Sequence, residues 1–363
     1  MYINKAVDVP DQVNEPIVHR FEDFQLAERI VERVKARGFT TPTPIQDKTI
    51  PLICSGRDVI GVAATGTGKT AAFLLPLINK FLKDPTQKSL IIVPTRELAV
   101  QINEELRIFT EGMRIFSALC VGGQGYGNQL RALRNQPQFI IGTPGRLKDH
   151  FQSRAMRLDN VANLVLDEAD RMVEMGFIKD VRTLIAALPK ARQSLFFSAT
   201  ITSEVQRLIQ EFTNNPESVS VKKRETSQNV DQDIIHFTDP LHRMTLLHDL
   251  LTKEECTKVL VFGRTKHGVE KLSQALVERG FSAVSIHGNK NQAQRQRALD
   301  EFKGNKFQVL VATDVAARGL DIPDVSHVIN FDAPESYSDY IHRIGRTGRA
   351  DKTGKAFTFV GLV

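Results

Sequence analysis

The chain has 363 residues, enough for two domains of ordinary size, each able to bury its own core. A hydrophobic fraction of 41% and a charged fraction of 25% exclude a disordered protein, and no apolar run approaches the roughly 18 residues of a membrane span or the core of a signal peptide. The net charge of +6 permits a polyanionic partner without establishing one, and Cys54, Cys120 and Cys256 are too widely spaced to ligate a metal and suit a reducing cytosol.

Along the first half, short Val/Ile/Leu/Phe runs predict strands at 59–63, 89–93, 115–121, 138–142, 162–167 and 194–198. In the second half they fall at 233–237, 258–262, 282–286, 308–312, 326–331 and 355–360. Amphipathic stretches such as 97–109 and 267–279 predict helices between them. Near-continuous apolar strands alternating with helices argue for parallel sheets covered on both faces. The pattern runs twice. Between the two rounds, Val221 to Asn229 is polar, charged and free of periodicity, and reads as a linker. The predicted organisation is a doubly wound α/β domain over 1–220, a linker over 221–229 and a second such domain over 230–363.

Two motifs carry chemistry directly. Ala63-Ala64-Thr65-Gly66-Thr67-Gly68-Lys69-Thr70 follows the first strand and reads as a phosphate-binding loop. Gly66 and Gly68 let the backbone form a nest of N–H donors, with a helix N-terminus just beyond. Lys69 supplies a point charge to the β- and γ-phosphates, and the Thr70 hydroxyl can ligate Mg²⁺. About a hundred residues on, Asp167-Glu168-Ala169-Asp170 ends the strand-like run Leu164-Val165-Leu166. Asp167 is placed to hold the metal, directly or through water, and Glu168 to orient or deprotonate an attacking water. Together the two motifs indicate an NTP hydrolase.

In open α/β sheets ligands bind beyond the carboxyl ends of the strands, and there the chain repeats its signals. The first half offers Pro94-Thr95-Arg96-Glu97, Gly122-Gly123, Thr143-Pro144-Gly145-Arg146 and Ser198-Ala199-Thr200. The second offers Gly263-Arg264-Thr265, His287-Gly288 with Gln292 and Arg295, Thr313 to Asp321, and His342-Arg343-Ile344-Gly345-Arg346-Thr347-Gly348-Arg349. In order and in both halves this series resembles the DEAD-box ATP-dependent RNA helicases of superfamily two, over about residues 21 to 363.

The resemblance implies two tandem RecA-like domains, ATP and Mg²⁺ as cofactor and metal, and single-stranded RNA or short RNA duplexes as partner. Gly38 to Gln46 looks like the family's Q motif. It implies that Gln46 reads adenine, whose paired donor and acceptor an amide matches, that Phe39 stacks on the base and that Phe21 buttresses the motif. Ala64, Thr65, Gly66, Thr67, Gly68, Lys69 and Thr70 would then cradle the nucleotide and Asp321 would meet its ribose. Arg346 and Arg349 resemble arginine fingers that neutralise charge developing on the γ-phosphoryl group. Asp170, Ser198 and Thr200 resemble the motif coupling nucleotide state to domain arrangement. Arg96, Gly122, Gly123, Thr143, Arg146, Arg264 and Thr313 resemble the RNA-facing set, contacting phosphates and 2′-hydroxyls without reading sequence.

One motif departs from the family, Val261-Phe262-Gly263-Arg264-Thr265 carrying Gly-Arg where Val-Asn is frequent. The sequence ends directly after the last predicted strand with no Arg/Gly-rich tail, which fits a minimal core enzyme or a truncated one. The expected activity is RNA-dependent ATP hydrolysis with local unwinding of short duplexes or remodelling of ribonucleoprotein, by a cytoplasmic monomer without membrane attachment. An ATP-gated RNA clamp or assembly scaffold shares every motif. A DNA translocase is disfavoured by the Asp-Glu-Ala-Asp form and by Gln46.

Overall fold

A computed structural model describes residues 17–64, 66–221, 230–317, 322–348 and 353–362. The described residues divide into two compact units, within Val13–Lys222 and within Lys223–Val363. The first contains strands β1 (Val59–Val62), β2 (Ser89–Ile92), β3 (Ser117–Cys120), β4 (Phe139–Gly142), β5 (Asn163–Asp167), β6 (Gln193–Ser198) and β7 (Glu217–Ser220). They form one parallel sheet in the order β3-β4-β2-β5-β6-β1-β7. The second unit holds β8 (Val230–Phe237), β9 (Val259–Phe262), β10 (Ala283–Ile286), β11 (Val309–Ala312), β12 (His327–Asn330) and β13 (Gly354–Gly361). These too are parallel, ordered β10-β11-β9-β12-β13-β8.

The apolar runs are continuous because both faces of each sheet are covered. Side chains alternate across a strand, so Leu164, Leu166 and Phe196 enter one core while Val165, Leu195 and Phe197 enter the other. The second sheet repeats this, with Leu260, Phe262 and Leu310 on one side and Val259, Val261 and Val309 on the other. The helices predicted over 97–109 and 267–279 are Arg96–Phe109 and Lys266–Glu278.

Two strands differ from expectation. β7, Glu-Ser-Val-Ser, escapes a search for apolar runs because only Val219 is buried. Its place is set by the backbone ladder to β1, from Glu217 N–H on Asp58 O at 2.8 Å to Val221 N–H on Val62 O at 3.0 Å. β8 begins at Val230 rather than 233, because it pairs along the whole of β13 at the sheet edge, where Asp231 and Asp233 stay exposed. The remainder of the expected linker, 222–229, lies outside the described residues.

Candidate functional site

The carboxyl edge of the first sheet has two halves. Strands β5, β6 and β1 are neighbours and carry the phosphate loop, the acidic motif and Ser198. After β1 the chain turns through Gly66 (φ +81°) and Gly68 (φ +89°) into the helix Lys69–Lys83. Gly68 is required twice over, since its φ is left-handed and a Cβ there would lie 2.4 Å from Gln46 Nε2. Thr67 Oγ1 donates to Ala64 O at 2.7 Å and closes the loop. Lys69, the first residue of the helix, is buried. Its Nζ makes no hydrogen bond and faces Asp167 Oδ1 at 3.7 Å. Thr70 follows it, half-buried.

Asp167 ends β5 opposite Phe197 of β6 and is 2% exposed. Burial pushes its carboxyl up to about 6; Lys69 opposes the rise, and Glu168 and Asp170 add to it. Its Oδ1 accepts the Glu168 N–H at 2.9 Å. Glu168 itself sits in the left-handed region at φ +55°, a strained conformation for glutamate, with its carboxylate buried 3.8 Å from Arg171 Nε. Asp170 is bound on several sides. Its N–H donates to Ser198 Oγ at 3.1 Å, and its Oδ2 accepts both the N–H and the hydroxyl of Thr200 at 2.9 Å.

Polyphosphate and a divalent cation fit this constellation. Lys69 Nζ is a buried cation without a hydrogen bond beside the loop, and the Thr43 hydroxyl is buried next to it, 3.0 Å from where a Gly68 Cβ would sit. Asp167, whose ionised form burial disfavours, gains from added positive charge. Among the described residues no group of three or more His, Cys, Asp or Glu is arranged to hold a metal by itself, so an ion here needs water or phosphate oxygens to complete its shell.

Gln46 is buried at the third position of the helix Pro44–Cys54, where a capping side chain is favoured. Its Oε1 accepts the Thr43 N–H and its Nε2 donates to Gly68 O, both at 3.0 Å. The amide thus ties the Q motif to the phosphate loop, a role the sequence did not show, and these two bonds leave it one further N–H and one further lone pair. Phe39 is half-buried, its ring 6.2 Å from that of Phe109, and Phe21 is buried in the core edge-on to Phe24. A strap absent from the sequence reading lies beside them: the Val18 and His19 N–H groups and His19 Nδ1 all meet the Asp47 carboxylate at 2.8–3.1 Å.

The other half of the edge is built on β3, β4 and β2, again neighbours. The Arg96 guanidinium packs on Gly122, where a Cβ would stand 2.8 Å from Nη2. Gly123 is exposed at φ +76°, and the Thr143 N–H donates to Cys120 O at 3.1 Å. Arg146 Nη1 donates to Val121 O at 3.2 Å. Five residues singled out from sequence therefore share one stretch of surface.

In the second unit, Arg264 follows β9 with its side chain exposed and its N–H donating to Asp332 Oδ2 at 2.8 Å, while Thr313 is buried at the end of β11. The sequence reading gave Arg343 no part of its own. It is the hub of this edge: two 2.6 Å hydrogen bonds clamp Asp314, a third of 2.6 Å reaches Asp332 O, and the guanidinium lies 5.1 Å from the Phe262 ring centroid. Its place three residues before Arg346 on the helix Tyr337–Ile344 was the available signal. Arg346 is buried, its Nε donating to His342 O at 3.3 Å. Removing a buried charge partner is costly, so Arg343→Ala should lower stability by about 3–5 kcal/mol, nearer 3 because Asp314 is 24% exposed. A denaturant midpoint shift in the second unit measures it. His287 pairs with Glu270, which Ser285 and His287 hold down to about 2. Thr65, Asp321 and Arg349 lie outside the described residues.

Residues 43–208 match the DEAD/DEAH box helicase family model and residues 242–351 the helicase conserved C-terminal domain. The chain is 48% identical over 344 residues to the DEAD-box ATP-dependent RNA helicase CshA of Bacillus licheniformis, covering 94% of this chain and 70% of that one. Among solved structures it is similar to S. cerevisiae Dbp5 bound to RNA and ADP BeF3, with 30% identity, a TM-score of 0.83, and 94% and 90% of the two chains covered. It is also similar to Mss116p bound to ssRNA and AMP-PNP, with 30% identity, a TM-score of 0.86, and coverage of 99% and 78%. Both are RecA-like DEAD-box structures, the architecture of the two parallel sheets here. The chain belongs to the DEAD-box ATP-dependent RNA helicase family.

Proposed function

We propose that the chain binds ATP–Mg²⁺ at the β5-β6-β1 edge and single-stranded RNA beside it, hydrolyses ATP in response, and locally separates short RNA duplexes or remodels ribonucleoprotein. The observation that carries this reading is the division of one sheet edge. Lys69, Asp167 and Glu168 occupy one half, and Arg96, Gly122, Thr143 and Arg146 the other. The domains act as an ATP-binding unit over 1–220 and a helicase unit over 230–363, joined by 221–229. Among the described residues no helix is long and apolar enough to cross a membrane, and we assign the protein to the cytoplasm as a monomer.

Lys69 binds β- and γ-phosphate oxygens through Nζ, and the N–H groups of Ala64 to Thr70 close round them. A magnesium ion held by Thr70 and Asp167 would neutralise phosphate charge. Glu168 orients the attacking water and accepts its proton at the carboxylate. Arg346 and Arg349 neutralise charge on the γ-phosphoryl group, and Asp321 holds the ribose. Asp170, through Ser198 and Thr200, transmits the state of this centre. Arg264 and Thr313 extend the phosphate contacts of the first unit to the RNA strand.

Gln46→Ala should lower ATP affinity and relax discrimination against GTP, because it removes both the base-reading groups and the tie to Gly68. Parallel titrations with ATP and GTP analogues check this; a wild-type protein that hydrolyses GTP as well as ATP contradicts the assignment. The reading as a whole is tested by strand displacement. A short RNA duplex should separate with ATP, and a DNA duplex of equal length should not. ATP-dependent retention of RNA without displacement would favour a clamp instead.

A further inference from the structure

Beside the proposed RNA contacts stands one aromatic ring that no motif assigns. Tyr126 opens the helix Tyr126–Arg134, directly after the loop that carries Gly122 and Gly123. Its ring stacks on buried His150 at 4.6 Å between centroids and 19° between planes. The Arg146 guanidinium lies 5.5 Å from its centroid, and its hydroxyl is 3.1 Å from Ser153 Oγ. His150 is fixed in turn by Gln129, 3.0 Å from its Nε2, and Gln129 reaches the Val121 carbonyl that Arg146 also binds. Burial and the Arg146 charge hold His150 below its ordinary range. With three contacts restraining it, Tyr126 still keeps 40% of its surface exposed.

We propose that Tyr126 is a stacking platform for one nucleobase of the bound RNA strand. The inference rests on the RNA reading of the surface formed by Arg96, Gly122, Thr143 and Arg146, and refines it. Three features select a base over a protein partner. The residues flanking Tyr126, from Gly125 to Asn128, are exposed and carry no second large apolar side chain. Arg146 links the ring to the strand-contacting loop through Val121, which puts an aromatic face within reach of phosphate-binding groups. The ring is held before any ligand arrives, so little ordering cost opposes stacking. Every base has a π-face, so such a platform adds affinity without sequence preference.

The test uses the whole chain and a fluorescent single-stranded RNA, titrated with a non-hydrolysable ATP analogue present. Tyr126→Ala should weaken RNA binding on the order of 5- to 100-fold. Tyr126→Phe, which loses only the Ser153 contact, should stay within about twofold. Analogue affinity without RNA should be unchanged in both, which separates a lost RNA contact from a damaged fold. RNAs carrying a single abasic nucleotide, scanned along the strand, supply the decisive arm. One position should weaken wild-type binding by the same factor as Tyr126→Ala and cause no further loss in that variant. Wild-type RNA affinity in Tyr126→Ala overturns the platform and leaves the RNA reading standing. So does an affinity loss that no abasic position reproduces. A wild-type chain that binds no RNA overturns both.

Discussion

Glu168→Gln should lower ATP turnover by about 10²–10⁴ while leaving ATP-analogue and RNA affinity within a few-fold of wild type. The carboxylate is used as water attacks, whereas binding rests on the phosphate loop and on Lys69. The amide has the same shape, so the left-handed backbone at 168 and the hydrogen bond from its N–H to Asp167 are retained. A loss of kcat with unchanged binding therefore reports chemistry. Lys69→Ala should differ, because it also removes a buried cation 3.7 Å from Asp167 and weakens nucleotide binding. Single-turnover hydrolysis with saturating RNA is the measurement. Wild-type-like turnover in Glu168→Gln removes Glu168 from the reaction.

Arg346→Ala should cost about 10³–10⁵ in hydrolysis, the usual worth of a guanidinium at a phosphoryl-transfer transition state. Arg346 is 4% exposed, and its Nε donates to His342 O at 3.3 Å. Its side chain is not the clamp that holds the second unit; that clamp is Arg343 with Asp314. The two arginines should consequently separate. Arg346→Ala loses turnover beyond what any fall in the denaturant midpoint accounts for, and Arg343→Ala loses stability. Lysine at 346 should restore only part of the rate, since an ammonium lacks the planar fork. A fall in turnover of less than tenfold for Arg346→Ala contradicts the finger assignment.

The strand-end motifs were legible because a strand's carboxyl end is a position in the fold as well as in the sequence. Once the apolar runs were placed, Asp167, Thr143 and Gly263 had to emerge along sheet edges. Partners distant in the chain were not legible. The tie from Gln46 to Gly68, the strap from His19 to Asp47 and the clamp from Arg343 to Asp314 each join residues 22 to 29 positions apart. Periodicity reports which face a side chain takes and says nothing of which atom it will meet. β7 was missed for the opposite reason, because backbone pairing places it while its polar side chains give no signal. Phe21 shows a further limit: an aromatic near a domain start reads equally as a buttress of the Q motif or as an ordinary core residue, and the structure buries it among core side chains.

The central claim is that the ATP half and the RNA half of this surface are coupled. Linkage requires that an ATP analogue raise RNA affinity by the same factor that RNA raises analogue affinity. The measurement is equilibrium titration of labelled RNA and DNA single strands of equal length, with and without a non-hydrolysable ATP analogue, at two salt concentrations. The account predicts a coupling of about 1–3 kcal/mol, roughly 5- to 150-fold, for RNA. It also predicts a fall in affinity with salt and weaker analogue-dependent binding of DNA, which lacks the 2′-hydroxyls. Equal RNA affinity with and without the analogue, or equal analogue-dependent affinity for DNA, would contradict it.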